Sequence, residues 1–396
     1  MNKLFPTYEV GSLPKLNARV KAARGQEVSE ADMQEVIALA SRFSVDHSEV
    51  LQLLEKTKTG KLDPEEVSRL VDFNALLFLR IQEGLGLDVV YDGEARRAEM
   101  YQHVAQRIEG FQVAPEMVRS RGPDSWRMAI CVAPPKLKED SIDDLVGREF
   151  LFVKKQARHP VKIPVDDPYM IAVMSDNRYY TEKLREKYFD DPKGLRYEAK
   201  REFVLALARD VIRPQVETLT RDGAQWIQLD IPAATLDLEH IPIVIEGVNA
   251  VVENIEGVKF SLHLCYPRRL TLTEKNGYEL LFPSILDLNP SVDHLSLELA
   301  NADQYEKDLA IFARYRNQRA FELGVGVINI TLEQQQRGTI ETPEVVRERI
   351  LRATKSLGDP ELVYVAPDCG LRQLQLDRCL RLYETMINGA ELARRG

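Results

Sequence analysis

The sequence predicts an α/β protein built on a single (β/α)8 barrel. Eight short apolar runs rich in β-branched residues recur along the 396-residue chain, and segments with helical periodicity and charged faces separate them. This alternation is typical of parallel βαβ units, and eight strands are the number that closes a barrel. Such barrels reach about 400 residues as one domain, so we assign residues 1–396 to a single catalytic barrel.

The order of elements follows from these runs. The predicted strands are Tyr8–Ser12, Asp88–Asp92, Val161–Asp166, Gln225–Asp230, Lys259–Cys265, His294–Glu298, Val325–Ile330 and Leu362–Pro367. Helices are clearest in Asp63–Gly84, which has an acidic first turn and ends at a glycine, and in Thr342–Leu357. The sequence therefore indicates alternating strands and helices over most of its length.

Two connections are too long for a single helix. We predict a helical insertion after the first strand, at about residues 15–62, where Ser29 precedes an apolar-periodic run as an N-cap. We predict a β-hairpin insertion before the third strand, at about 124–156, with Trp126–Val132 and Glu149–Lys155 as its strands. No Pro/Gly/Ser-rich linker marks a boundary, so both insertions are assigned to the same domain.

Composition narrows the class of protein. The 53 Lys+Arg and 62 Asp+Glu residues give a net charge of -9, without a dense basic run, so a nucleic-acid partner is not expected. There is no apolar run long enough for a signal peptide or a bilayer span, so we expect a cytoplasmic protein without a membrane partner. Four cysteines are too few for a disulfide framework in a chain of this length.

Potential metal ligands are concentrated at the ends of three predicted strands. His263 and Cys265 end the fifth strand, Glu298 ends the sixth, and Cys369 follows the eighth. Residues two apart on a strand point to the same face, and the carboxyl ends of barrel strands meet at one rim. One imidazole, two thiols and a carboxylate form a ligand set that suits tetrahedral Zn²⁺.

Each ligand also has a structural interpretation. A single histidine is more often a hydrogen-bonded core residue, and a single cysteine more often a small buried hydrophobe. The coincidence of four ligands at one rim favours the metal site. By contrast, Cys131 and Cys379 lie in the predicted hairpin and in a helical pattern, and His294 begins the sixth strand at the opposite rim. We therefore assign these three residues no role in the chemistry.

Polar groups end three further strands and predict a substrate site beside the metal. They are Ser12 after the first strand, Glu94 after the second and Asp230 on the fourth. Two carboxylates, a hydroxyl and the backbone of a Gly-Ser turn would bind the ammonium and carboxylate of an amino acid. The alternative is that Glu94 pairs with Arg96 or Arg97 and that Asp230 caps the next helix.

These residues lie in blocks that resemble the catalytic half of the cobalamin-independent methionine synthase family. The blocks are VGSLP at 10–14, YDGEARRAEMY at 91–101, WIQLDIPA at 226–233, SLHLCY at 261–266, LSLE at 295–298 and APDCGL at 366–371. The resemblance implies Zn²⁺ held by the four ligands named above, and homocysteine held by Ser12, Glu94 and Asp230 with its sulfur on the metal. It also implies a short core form, because the long members of the family carry a second, N-terminal barrel.

The sequence departs from the long form at Ile231, which stands in place of a Glu, and where that form binds folate. There Met174 stands in place of a Trp, and Asn329 and Thr331 in place of an Asp-x-His block. Neither Asn329 nor Thr331 can protonate the leaving nitrogen of methyl-tetrahydrofolate. On this basis the sequence predicts methylcobalamin, or a methylated corrinoid protein as partner, as the methyl donor.

Three other functions remain open at this stage. A zinc thiol-alkyltransferase of the coenzyme M group, including the epoxide-opening enzymes, would share the H-x-C motif and the late cysteine, but its sulfonate thiol has no ammonium for Glu94 and Asp230. A non-catalytic zinc-storage or corrinoid-chaperone protein would have a closed metal site. The uroporphyrinogen decarboxylase family shares the barrel without this ligand set, which makes it the weakest alternative.

Overall fold

Six parallel strands form the main sheet. A computed structural model describes residues 3–97, 100–119, 125–232, 234, 237–266, 277–300, 305–330 and 339–396. The strands are β1 Ile108–Arg119, β2 Ser125–Leu137, β3 Ile163–Asp166, β4 Trp226–Ile231, β5 Lys259–Leu264, β6 Val292–Leu297, β7 Glu322–Ile328 and β8 Val363–Pro367. Strands β3 to β8 are neighbours in chain order and are all parallel, as expected for successive βαβ units.

Two short segments close this sheet into a ring. The parallel bridges are Thr7 with Val365 of β8, Tyr8 with Val89, and Val90 with Val161 ahead of β3. These segments lie where the first two strands were predicted, but they pair over only one or two residues each. The predicted (β/α)8 barrel is confirmed, with its first two strands shorter than the sequence indicated.

Helices cover the outside of the barrel and fill the first insertion. They are α1 Asn17–Ala23, α2 Glu30–Arg42, α3 Ser48–Lys56, α4 Pro64–Leu85, α5 Met100–Ala105, α6 Arg148–Gln156, α7 Pro168–Val173, α8 Arg178–Leu184, α9 Pro192–Leu207, α10 Arg213–Arg221, α11 Ile241–Val252, α12 Tyr305–Tyr315, α13 Pro343–Leu357 and α14 Leu376–Arg394. Within the described ranges, no helix has the length and apolarity that crossing a membrane requires.

Local sequence signals account for the helix boundaries. The hydroxyl of Ser29 accepts a hydrogen bond from the amide of Asp32 and starts α2, and Asp63 caps α4 in the same way through Glu66. Helix α4 ends at Gly86, whose φ of 99° suits a residue without a side chain. Helices α1 to α3 form the insertion predicted after the first strand.

The hairpin insertion differs from its prediction. Strand β1 pairs antiparallel with β2, so the hairpin spans residues 108–137 and not 124–156. The predicted second strand, Glu149–Lys155, lies inside helix α6. The prediction of a hairpin before the third barrel strand was correct, but the prediction of its partner strand was wrong.

Tertiary packing explains the error. The sequence pattern of residues 149–155 resembles that of a strand. In the structure, however, Glu149, Phe150 and Val153 lie on one face of a helix and are buried. The first predicted strand of the hairpin, Trp126–Val132, ends before the Pro134–Pro135 pair, whereas β2 continues through it to Leu137. Prolines are tolerated where a ladder hydrogen bond is not needed, and the pairing of β1 with β2 is interrupted nearby, between Glu109 and Phe111.

The amino-terminal end of the barrel is closed by a polar cluster among aromatic rings. The carboxylate of Glu322 contacts the ammonium of Lys259 and lies 3.1 Å from Nδ1 of His294. The rings of Tyr8, Trp226 and Tyr364 pack around the His294 ring, with centroids 4.8–5.6 Å away. His294 therefore lies at the rim opposite the predicted chemistry, where the sequence placed it.

This cluster predicts a pH-dependent stability. Burial alone raises the pKa of Glu322, but the hydrogen bond with His294 and the charge of Lys259 lower it to about 2. A lowered carboxylate pKa stabilises the folded state above pH 4.5, and that contribution is lost as the pH falls toward 2. We expect Glu322→Gln to reduce the free energy of unfolding at pH 7 by about 1–2 kcal/mol, because partial exposure screens the pair.

Urea denaturation of wild type and Glu322→Gln between pH 7 and pH 3 tests this expectation. The difference between the two proteins should shrink as the pH falls. The exposed carboxylate of Glu186 provides the control, and Glu186→Gln should unfold like wild type at pH 7. A constant difference between wild type and Glu322→Gln across the range would contradict the assigned pKa shift.

Candidate metal and substrate site

Four potential metal ligands meet at the carboxyl end of the barrel. One ligand atom from each of His263, Cys265, Glu298 and Cys369 lies within 4.8 Å of the other three. His263 lies on β5, Cys265 and Glu298 directly follow β5 and β6, and Cys369 lies two residues after β8. The structure thus brings together the four residues that the sequence singled out.

The distances between these atoms fit a tetrahedral zinc site. Nε2 of His263 lies 3.3 Å from Sγ of Cys369 and 3.7 Å from Sγ of Cys265. Zinc bonds of about 2.3 Å to sulfur and about 2.0–2.1 Å to nitrogen place tetrahedral ligands about 3.6 Å apart. The donor set and its spacing therefore match Zn²⁺, which prefers thiolate and imidazole ligands.

Charge within the cluster favours a thiolate. Hydrogen bonding from Cys265 and the nearby His263 hold the pKa of Cys369 well below its usual range, although burial opposes this. Burial alone lowers the pKa of His263, but the adjacent Cys369 raises it to about 9. Without a metal, the pair is therefore an imidazolium beside a thiolate, and a bound cation would take the place of the imidazolium proton.

Tyr278 links the ends of β5 and β6 behind the cluster. Its hydroxyl donates to the carbonyl oxygen of Leu264 at 2.9 Å and accepts from the amide of Glu298 at 2.8 Å. The tyrosine is fully buried, so its position is fixed by packing. Hydrogen bonds of this kind orient metal ligands from behind, and they hold Cys265 and Glu298 on adjoining strand ends.

Ser12 lies against the turn that carries Cys369. The carbonyl oxygen of Ser12 accepts from the amide of Leu371 at 2.8 Å. A Cβ atom on Gly370 would lie only 2.8 Å from Oγ of Ser12, so only glycine permits this approach. The first and last barrel connections therefore bring the predicted serine next to the metal cluster.

Glu94 lies on the other side of the Gly11–Ser12 turn. Its Oε1 is 3.2 Å from the position of a Cβ on Gly11, and its backbone has a φ of 57°, which is unusual for a residue with a side chain. The carboxylate of Asp92 accepts from the Glu94 amide at 2.9 Å and supports this conformation. The loop after the second barrel segment thus directs a carboxylate toward Ser12.

The alternative prediction, that Glu94 pairs with Arg96 or Arg97, holds only in part. Its Oε1 lies 3.7 Å from Arg97, whose guanidinium is bound more closely by Glu149 at 2.7 Å and by the carbonyl oxygen of Pro164 at 2.7 Å. Arg96 pairs instead with Asp72. Arg97 therefore has its main carboxylate partner elsewhere.

Asp230 lies beside His263 and does not cap the next helical turn. The two residues are register partners across β4 and β5. Asp237, further along, caps the turn Leu238–His240 through the amide of Glu239. Oδ1 of Asp230 accepts from Nε2 of Gln228 at 2.7 Å, and the residue is 8% exposed. The sequence-based alternative of a capping Asp230 is wrong.

Two buried residues beneath Asp230 were missed by the sequence analysis. Lys162 and Gln228 lie inside the barrel, 1% and 0% exposed, and are joined by a hydrogen bond of 2.6 Å. The signal was present in the sequence, because Lys162 interrupts an apolar strand and Gln228 shares the strand face of Asp230 two residues away. A polar residue inside a predicted barrel strand marks an interior hydrogen-bond network.

A cavity of about 460 Å³ adjoins the substrate residues. Ser12 and Glu94 line it together with the cationic residues Lys15, Arg97 and Arg372. Burial, with the neighbouring charge of Arg19, lowers the pKa of Lys15 to about 8. This cavity has cationic as well as anionic walls, and its lining includes Ser12 and Glu94 but neither Asp230 nor any of the four metal ligands.

The remaining candidates lie away from the cluster or outside the described residues. Cys131 and Cys379 are fully buried in the core, and burial raises the pKa of both thiols, that of Cys131 to about 12. Met174 follows α7 and is half-buried against the core. Thr331 lies outside the described residues. The backbone amide of Asn329, just past β7, donates to the Glu341 carboxylate at 2.8 Å.

Fold and site together define a class of (β/α)8 protein with a His/Cys/Glu/Cys cluster at the carboxyl ends of its strands. The family described as "Cobalamin-independent synthase, Catalytic domain" matches residues 46–142 and 194–392. The chain belongs to this family.

Named relatives agree with this assignment, and a solved structure has the same fold. A methionine synthase of Pyrococcus horikoshii is 30% identical over 347 residues, covering 87% of this chain and 89% of the relative, and that of Sulfurisphaera tokodaii is 31% identical over 338 residues, covering 85% and 86%. A B12-independent methionine synthase from Shewanella sp. W3-18-1, solved with selenomethionine, has a TM-score of 0.70 at 20% identity and covers 99% of this chain and 98% of its own. The solved structure establishes the fold.

The ligand set makes a direct prediction about metal content. Purified protein should contain about one zinc per chain, and Cys265→Ser or Cys369→Ser should lose most of it because a hydroxyl is a poor ligand for zinc. Cys131→Ser and Cys379→Ser are matched controls that should keep the metal. Elemental analysis of dialysed protein measures the outcome, and full zinc retention in both ligand variants would exclude the site.

Proposed function

We propose that this chain transfers a methyl group to the thiol of L-homocysteine and forms methionine. The observation that supports this most strongly is the thiol-rich ligand cluster directly beside Ser12, Glu94 and Asp230. Zinc held by His263, Cys265, Glu298 and Cys369 would lower the pKa of a bound substrate thiol and supply a thiolate at neutral pH. The family membership and the names of the relatives support the same reaction.

The chain's own residues account for the choice of an amino-acid thiol. Two carboxylates, Glu94 and Asp230, face the region where a substrate ammonium would bind, and the Gly11–Ser12 turn offers backbone and hydroxyl groups to a carboxylate. A thiol that carries a sulfonate and no ammonium would leave both carboxylates without a partner. This difference favours homocysteine over the substrate of a coenzyme M-type alkyltransferase.

The methyl donor is a separate part of the proposal. The corrinoid donor that the sequence analysis predicted has no support from the family, which is described as cobalamin-independent. We therefore propose methyl-tetrahydrofolate as the donor, with methylcobalamin or a methylated corrinoid protein as the alternative.

The carboxylate pair predicts how homocysteine affinity responds to mutation. Glu94→Gln and Asp230→Asn keep the side-chain shape but remove a charge that would face the substrate ammonium. Each should weaken homocysteine binding by about 1.5–3 kcal/mol while zinc stays bound. Calorimetric titration of the zinc-loaded proteins measures the change, with Glu186→Gln as a control. If both variants bind homocysteine with wild-type affinity, the substrate ammonium is bound by other residues.

Turnover with defined donors tests the reaction itself. Zinc-loaded protein and homocysteine should yield methionine with methyl-tetrahydrofolate in the absence of any corrinoid, and Cys369→Ser should yield none. Formation of methionine only with methylcobalamin would show that the proposed donor is wrong and that the proposed reaction is right. An absence of methionine with either donor, together with an unchanged zinc X-ray absorption spectrum on adding homocysteine, would indicate a non-catalytic zinc protein.

A further inference from the structure

Lys162 is a lysine buried inside the barrel, and within the described residues no carboxylate lies at ion-pair distance from its Nζ. The residue is 1% exposed. Its Nζ donates to the carbonyl oxygen of Val10 at 2.7 Å and to Oε1 of Gln228 at 2.6 Å, and it lies 4.7 Å from the centre of the Tyr8 ring. An ammonium group is costly to bury, so its retention in such a place calls for a specific role.

The contacts of Lys162 determine which way the Gln228 amide points. A lysine ammonium can only donate, so the atom of Gln228 that faces it must be the carbonyl oxygen. The NH2 group then points the other way, where it donates to the carbonyl oxygen of Val10 and to Oδ1 of Asp230, both at 2.7 Å. Both hydrogens of the amide are used, and the Lys162 donor on one side acts together with the two acceptors on the other to disfavour the flipped orientation.

The same chain of hydrogen bonds fixes Asp230. The Gln228 amide holds one carboxylate oxygen of Asp230, which leaves the other oxygen for a ligand. Burial lowers the pKa of Lys162 to about 7, while the charges of Asp230, Glu9 and Glu94 act in the opposite direction. In its protonated form Lys162 offsets the mutual repulsion of Glu94 and Asp230 before a substrate ammonium arrives.

We propose that Lys162 is a positioning residue for substrate selection: it orients the Gln228 amide and through it the Asp230 carboxylate that receives the ammonium group of the thiol substrate. This inference rests on the proposed function. It predicts that Lys162 acts on the recognition of the amino group and not on the metal or on methyl transfer.

A comparison of two thiols isolates this effect. Homocysteine and 4-mercaptobutyrate share the thiol and the carboxylate and differ only in the amino group. Wild type should prefer homocysteine. In Lys162→Met, KM for homocysteine should rise about tenfold or more, which corresponds to one lost charged hydrogen bond, while kcat and the KM for 4-mercaptobutyrate stay within about threefold. Lys162→Arg keeps a cationic donor and should recover part of the preference.

Gln228→Glu provides a second, nearly isosteric variant. It keeps an acceptor for Lys162 but cannot donate to Asp230, so it should lose the preference for homocysteine as Lys162→Met does. Lys200→Met is the matched control, because the ammonium of Lys200 is partly buried and bonded to a backbone carbonyl oxygen at 2.9 Å outside the site. Its selectivity should equal that of wild type, and zinc content should be equal in all variants.

The outcomes separate this inference from the proposed function. Equal increases of KM for both thiols, loss of zinc, or a fall in kcat with unchanged selectivity would show that Lys162 only supports the fold or the metal site. If Lys162→Met does not fold, retained selectivity in Gln228→Glu is sufficient to overturn the proposal. A wild type that makes no methionine refutes the proposed function instead, and calorimetric affinities for the two thiols then decide whether Lys162 governs recognition of the amino group.

Discussion

Closure of the strand ring is the constraint on which the site depends. His263 and Cys369 come from β5 and β8, which are not neighbours in the sheet, yet their side chains approach to 3.3 Å across the barrel mouth. Such an approach requires a narrow, closed barrel, since an open sheet would separate these strand ends by about 14 Å at about 4.8 Å per strand. Short bridges at Thr7 and Val89 complete that ring. The segments that close the barrel are therefore also the ones that lead directly to Ser12 and Glu94.

The barrel interior changes character from one end to the other. At the amino-terminal end, the aromatic rings around His294 and the Glu322–Lys259 pair form a closed, packed layer. Above it, the interior becomes polar beneath Asp230, where Lys162 donates to Val10 and Gln228 and lies over the Tyr8 ring. A buried polar network contributes to a structure only when its members are satisfied. Here the network lies between the packed aromatic layer at the amino-terminal end and the residues that would contact a substrate.

The hairpin β1–β2 sets this chain apart from a plain barrel without touching the metal cluster. It packs against α8 and α9, and Ile130 bridges to Asp176 in the connection after α7. The family match omits residues 143–193, which include Lys162 and strand β3. The family model therefore does not cover the buried lysine, and the role of Lys162 is argued from its contacts.

The sequence by itself determined the fold class, the helical insertion and the four ligands, because each leaves a local signal. The sequence alone shows the strand and helix periodicities, the caps at Ser29 and Asp63, and the H-x-C motif with the later Glu298 and Cys369. Strand ends were predicted to within a few residues. The strand that pairs with β2 was not predicted correctly. Residues 149–155 alternate like a strand, and only their burial on one helical face decides their conformation.

The interior of the site was decided by tertiary structure alone. A lysine in an apolar run and a glutamine two residues before an aspartate carry no indication of their distant partners. Lys162 bonds to Gln228 and Val10, 66 and 152 residues away, and Gln228 also bonds to Val10, 218 residues away. The orientation of the Gln228 amide, the closer pairing of Arg97 with Glu149 than with Glu94, and the approach of Ser12 to Gly370 all arise from packing. Sequence periodicity indicates which face of a strand a residue occupies. The hydrogen-bond partner of that residue depends on which strands lie next to it in the closed barrel.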